Sequence, residues 1–279
     1  MTAPITSRPA ALPDAVGEHI RLWRQRRRLS QLALAGEAEI STRHLSFLET
    51  GRARPSRAMV LRLAERLDVP LRERNVMLVC AGFAPSFPER RLDDPALAAA
   101  RATIEQLLAA HAPFPALAVD RHWTLVAANA AVSTLIAGSD PALLAPPVNV
   151  LRLSLHPAGL APRIENLPEW RAHLLERLRR QVELTADPVL VALLAELAAL
   201  PAPRRSGRDA VPGPAMHGRA DPSAIAVPLK LRAGGAVLSF LSTTTVFGTP
   251  VDVTLAELAL ETFFPADEVT ATALARAVA

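Results

Sequence analysis

The chain has 279 residues, half of them apolar, which is enough for two domains with real cores and argues against wholesale disorder. A single cysteine, Cys80, excludes an internal disulfide and any multi-cysteine zinc or iron–sulfur site, and no apolar run approaches the ~20 residues of a membrane span. The net charge of +4 is unevenly spread: residues 1–90 hold 15 Arg against 9 acidic residues (+6), whereas residues 91–279 hold 16 Arg and Lys against 18 (−2), so the basic excess suited to a phosphate backbone lies in the first third. Lys230 is the only lysine and tyrosine is absent, which marks a compositional bias; the placement of arginine is therefore more informative than its amount.

In chain order, residues 1–13 are rich in Pro, Ala and Thr and read as a loose tail. Met1 to Leu12 lack the charged-then-apolar order of a secretory signal, so a cytoplasmic protein is expected. From Asp14 to Ala81 the pattern is densely helical, which defines a first domain over 14–84. Cys80 sits in an apolar run and reads as a small buried hydrophobe. Residues 85–111 form a linker and connecting helix: Ala84-Pro85-Ser86-Phe87-Pro88 breaks the first block, and Asp93-Asp94-Pro95 opens an Ala/Leu-rich helix ending at Ala110. A second domain is expected over 112–279. Ala116–Asp120 and Trp123–Asn129 read as strands about a tight turn, followed by helical patterns over 148–155, 168–184 and 189–200. Residues 201–223, full of Pro, Gly and Arg, read as an exposed loop. Residues 224–231 and 237–247 read as strands joined by Arg232-Ala233-Gly234-Gly235, a hairpin signal. Residues 254–264 fit a third strand, although their alanines and glutamates also fit a helix. Asp267 caps a last helix to Ala277.

The most informative stretch runs from Ser30 to Gly51. Ser30 and Ser41 can each cap a short helix, and the two helices are separated by a turn of a few residues. Leu34, Ala38, Ile40, Leu45 and Leu48 fall on the inward faces, Ala35 is small where helices cross, and Gly51 supplies a stop. Thr42, Arg43 and Ser46 are left on the outer face of the second helix, and these residue types read base edges. Gln31 can hold a phosphate at the start of the first helix, and Arg52 and Arg54 follow in a loop placed for more phosphate contacts. Ser56 caps the next helix. Upstream, Val16, Ile20, Leu22 and Trp23 give another, with Arg24, Arg26, Arg27 and Arg28 at its exposed end. A helical bundle making only protein contacts would share part of this pattern. Residues 14–81, with Ser30-Gln31-Leu32, Ser41–Leu48 and Leu48-Glu49-Thr50-Gly51 followed by Arg-x-Arg-Pro-Ser, resemble the phage-repressor-type (XRE-like) helix-turn-helix. The resemblance implies an all-α five-helix domain with Thr42–Glu49 in the major groove and DNA contacts from Gln31, Ser41, Thr42, Arg43, Ser46, Arg52 and Arg54. Glu39 departs from it, standing where glycine is frequent.

Downstream, His156-Pro157-Ala158-Gly159-Leu160, Trp170–Leu175 and Ser242–Leu258 followed by Glu261-Thr262-Phe263-Phe264-Pro265 are similar to the MmyB-like transcriptional regulators. That resemblance implies an α+β PAS-like domain: a small antiparallel sheet and helices around an apolar cavity, holding in some relatives a fatty acid. Trp123, Leu125, Trp170, Phe240, Phe247 and Phe263 are candidate walls, and Asn129, His156 and Arg171 candidate partners for a polar head, although such aromatics also build ordinary cores. No nucleophile elbow, phosphate loop or paired-His metal spacing is present, so neither catalytic nor metal residues are expected and the protein is read as a non-enzyme. The expected whole is a homodimeric regulator that reads a double-stranded operator and senses a small apolar, fatty-acid-like ligand. It has no other cofactor and does not insert into a membrane. Two further readings remain: a repressor whose ligand-free second domain serves dimerisation or partner recruitment, and an antitoxin-type repressor.

Overall fold

The computed structural model describes residues 15–201 and 226–278. The expected tail lies outside these residues, as does all of the expected loop except Pro201. The chain forms two compact units, one built on the residues up to Arg90 together with Val182–Pro188 and Pro250–Ala256, the other on the remainder.

The first unit holds five helices: α1 (Val16–Arg26), α2 (Gln31–Glu37), α3 (Thr42–Glu49), α4 (Arg57–Arg66) and α5 (Leu71–Cys80). Three serines start three of them. Ser30 Oγ accepts from Ala33 N at 3.0 Å, Ser41 Oγ from His44 N at 3.1 Å and Ser56 Oγ from Met59 N at 3.3 Å, each satisfying a first-turn amide that the helix itself leaves free. The turn between α2 and α3 places Glu39 at φ 56°, a left-handed conformation that explains why glycine suits this position. Ile20, Trp23, Leu34, Leu45, Leu48, Leu63 and Met77 are fully or almost fully buried and join the helices in one core. Gly17 lets α1 cross α3 closely, since a Cβ there would lie 2.3 Å from the Leu48 carbonyl oxygen. Two expectations change. Arg24 is not part of an exposed basic end; its side chain is only 12% exposed and pairs with Glu49. Cys80 is half-buried, its Sγ 3.6 Å from His19 Nε2, because it closes α5 at the edge of the core.

The second unit opens with a 3₁₀ turn, Pro95–Leu97, capped by Asp94, and α6 (Ala98–Ala110). Strands β1 (Ala116–Val119) and β2 (Leu125–Ala128) follow, then α7 (Ala130–Ile136), α8 (Pro141–Leu144), α9 (Val150–Leu155), α10 (Leu167–Thr185) and α11 (Pro188–Ala199). The chain continues through β3 (Leu229–Ala233), β4 (Ala236–Val246), α12 (Val253–Ala256, which groups with the first unit), β5 (Ala259–Pro265) and α13 (Glu268–Val278). The sheet is antiparallel throughout, in the order β2-β1-β5-β4-β3. This is the α+β arrangement the sequence led us to expect. Gly234 (φ 57°) and Gly235 (φ 81°) make the β3–β4 turn, where both central residues need positive φ. Residues 254–264 prove to be both alternatives in succession. Asp252 accepts from Thr254 N and opens a single helical turn, after which β5 is held between β1 and β4. Asp267 Oδ1 caps α13 by accepting from Thr270 N at 2.7 Å.

Strand alternation gives the sheet two different faces. Ala116, Ala118, Leu258 and Leu260 pack against Ile104 and Leu108 of α6. Leu117, Ser242, Glu261 and Phe263 turn to the other face, where they line a cavity. No helix among the described residues is long and apolar enough to cross a membrane.

Candidate DNA-reading face and candidate ligand cavity

Helix α3 buries Leu45, Leu48 and Glu49 and turns Arg43, Ser46, Phe47 and Thr50 away from the core. Arg43 is exposed, with its guanidinium carbon 5.3 Å from the Phe47 ring centroid; Arg52 approaches the same ring at 5.9 Å. Phe47, unremarked in the sequence, thus holds two arginines beside the outer face of α3 through its ring quadrupole. Ser46 and Thr42 are half-buried, Ser41 is committed as the cap of α3, and Arg52 and Arg54 are exposed in the loop beyond Gly51.

Behind this face lies a charged network that sequence reasoning missed. Arg24 grips Glu49 with two hydrogen bonds, Nε to Oε1 at 2.6 Å and Nη2 to Oε2 at 2.9 Å, while Gln31 Nε2 donates to Glu49 Oε2 at 2.7 Å. The Glu49 side chain is 2% exposed. Burial alone would raise its pKa, but the hydrogen bonds from Arg24 and Gln31 and the charges of Arg24 and Arg21 outweigh burial and hold it below the ordinary value. Arg24 is correspondingly pushed up, chiefly by its hydrogen bond to Glu49. In this structure, then, Gln31 ties α2 to α3. The available signal was a carboxylate at Glu49, one residue past Leu48 and four past Leu45, on the buried side of the helix.

In the second unit the sheet, α7, α9 and α10 line a partly open cavity of about 100 Å³. Of the residues singled out from sequence, Trp123, Leu125, Trp170 and Phe263 line it. The others lie elsewhere. Asn129 Oδ1 accepts from Ala116 N, and its Nδ2 donates to Leu108 and Phe114 carbonyls, so its amide is consumed in holding β1. His156 Nδ1 accepts from Ala158 N in a turn. Arg171 Nη2 donates to the Leu197, Ala198 and Leu200 carbonyls at the end of α11. Phe240 is fully buried with its ring edge-to-face against Phe263, and Phe247 packs with the α6 cluster. Most of the wall is aliphatic: Leu117 and Leu125 from the sheet, Val132 and Ile136 from α7, Leu151 and Leu153 from α9, and Leu174 from α10.

The polar end consists of residues not identified from sequence. Arg177 binds Glu261 in a fork, Nη1 to Oε2 at 2.9 Å and Nη2 to Oε1 at 2.5 Å, and Nη2 also donates to Thr244 Oγ1 at 2.6 Å. Its guanidinium carbon lies 4.5 Å from the Trp123 ring centroid. Trp123 itself sits at φ 66°, a strained backbone for a bulky residue, and donates from Nε1 to Gln181 at 2.8 Å. Trp170 Nε1 donates to Ser154 Oγ at 3.0 Å, and His173 stacks on the Trp170 ring. Burial and then the Arg177 charge lower the His173 pKa below the ordinary imidazole value, against an opposing effect of Glu261. Among the described residues no three His, Cys, Asp or Glu side chains gather as metal ligands would.

Two family models match the chain. The MmyB-like transcription regulator ligand binding domain covers residues 100–277, and a helix-turn-helix domain covers residues 15–77. Both are families of transcription regulators. No curated protein matches the chain.

Proposed function

The chain belongs to the MmyB-like transcription regulators, and we propose that it acts as a homodimer that reads paired operator half-sites through α3 and is controlled by an apolar ligand in the cavity of its second unit. The observation that carries this reading is the outer face of α3. A capped helix in a helix-turn-helix domain presents Arg43 and Ser46 outward, with Arg52 and Arg54 flanking. Arg43 suits a guanine edge, Thr42 and Ser46 suit either base edge, and Gln31, Ser41, Arg52 and Arg54 suit phosphates. One such helix reads only a few base pairs, so two copies on half-sites about 10 base pairs apart would supply the affinity.

For the second unit we propose a fatty-acid-like ligand, an apolar body with one polar head, lying among Leu117, Leu151, Leu174, Trp123, Trp170 and Phe263. The size of the cavity limits that body. A closed engineered cavity of ~150 Å³ holds benzene; at about 100 Å³ this one is smaller but partly open, so only part of such a ligand lies inside it unless the walls move. Control requires the ligand to bind the DNA-competent and DNA-incompetent states with different affinity.

Selection of operators from random-sequence DNA, with native mass spectrometry of the protein alone and on the selected site, tests this. Enrichment of an inverted repeat bound by two chains is expected, with a small mass that leaves on denaturation. A site bound by one chain would remove the dimer, and no enriched sequence would remove the regulator.

A further inference from the structure

The outer face of α3 carries one residue that hydrogen bonding to DNA cannot employ. Building on the reading that α3 enters the major groove, we propose that Phe47 is a specificity-determining residue that reads the C5-methyl group of a thymine, within about two base pairs of the base met by Arg43.

Three observations carry this. First, Phe47 is not spent on the core. Leu45 and Leu48 are fully or almost fully buried in the core of the helical unit, whereas Phe47 is half-buried and, among the described residues, stands outside that cluster. It shares the outer face of α3 with Arg43, one turn earlier, and with Ser46 and Thr50. Second, its place is fixed. Ala53 N donates to the Phe47 carbonyl at 3.1 Å, which pins the loop beyond Gly51 to this residue and carries Arg52 to the ring that Arg43 also approaches. Both arginines are exposed, one suited to a guanine edge and the other to a phosphate, so the ring between them lies on the surface that meets the groove. Third, the chemistry of the ring leaves one target. A phenyl group has no hydrogen to donate and no lone pair to accept with. Pressed against the amino group of cytosine or the polar edge of a purine, it would bury that edge without a partner. The methyl of thymine is the apolar group that the major groove offers. Four residues of α-helix rise about 6 Å and stacked base pairs lie about 3.4 Å apart, which limits the distance from the base of Arg43 to about two pairs.

The test uses the operator selected from random-sequence DNA and replaces its thymines by uracil, one position at a time in both half-sites. This removes the methyl and keeps every hydrogen-bonding group of the base. Binding of the full chain and of Phe47→Ala is measured on each site. One thymine position is expected to respond, uracil weakening the unaltered protein by about fourfold per half-site, the worth of one buried methyl. Phe47→Ala should bind more weakly overall and show no preference between thymine and uracil there. If no thymine responds, or if one responds equally in Phe47→Ala, the proposal is overturned and α3 remains the reader of the operator. Failure to enrich any operator sinks that reading and this proposal with it. Should Phe47→Ala not fold, Phe47→Gln, of similar reach but with a polar end, supplies the same comparison.

Discussion

Arg43 and Glu49 lie on the same eight-residue helix and answer opposite demands. Arg43 is exposed and steadied by Phe47. If it forks onto a guanine, Arg43→Ala costs about 1–3 kcal/mol of operator affinity and relaxes preference at one position of the site. Competition binding against single-base operator variants measures this; equal loss on every variant would instead make Arg43 a phosphate contact. Glu49 is buried, and its role is to hold α1, α2 and α3 together through Arg24 and Gln31. Its pKa lies below the ordinary 4.5 in the folded protein, so its contribution to stability is complete above that value and is lost as pH falls through the lower, folded one. Relative to the intrinsic rate, which itself slows in mild acid, hydrogen exchange in the core of the helical unit should therefore accelerate as pH drops below about 4.5. In Glu49→Gln this extra acceleration should vanish, and the unit should already be less stable at neutral pH by about 3 kcal/mol, because Arg24 loses its partner. An unchanged acid response in the variant would assign the loss to other carboxylates.

Individual elements are fixed by small, separable devices. The Ser41 cap starts α3, so Ser41→Ala should cost about 1 kcal/mol of stability, and Ser41→Asp should restore most of it. Gly17 acts differently: it is needed for space rather than for a hydrogen bond. Gly17→Ala would place a methyl 2.3 Å from the Leu48 carbonyl and force α1 off α3, a cost at the upper end of about 1–3 kcal/mol despite the better helix propensity of alanine. Denaturant unfolding of the two variants separates these effects. If Gly17→Ala proves as stable as the parent, α1 and α3 must be free to slide apart. In the second unit the equivalent device is strand alternation, which sends Glu261 and Phe263 to the cavity and Leu260 to the α6 face.

For the whole molecule, the proposed control is a linkage between two equilibria. If a ligand of the cavity changes operator affinity by some factor, the operator must change ligand affinity by the same factor. Titrating a cavity ligand into the protein with and without its operator should give a ratio of affinities equal to the ratio of operator affinities measured with and without that ligand. A ligand that binds equally well in both titrations would not be a regulator, however tightly it bound.

The sequence by itself determined the helix-turn-helix, because its devices are local: Ser30, Ser41 and Ser56 cap within three residues, Gly51 stops α3, and the leucine spacing states which face is inward. Gly234-Gly235 and Asp267 were legible for the same reason, and even the awkward conformation of Glu39 was foreseeable from its place in the turn. Only the tertiary structure decided what surrounds the cavity. Arg177 and Glu261 stand 84 residues apart and Arg24 and Glu49 25 apart, and no local pattern pairs them. Helices α7 and α8 also escaped notice. Asn129 and Arg171 looked available for a ligand's head, but the structure commits both to backbone carbonyls that their neighbours leave open. A polar side chain's chemistry is written in its type, whereas its partner is chosen by whichever distant segment the fold brings against it.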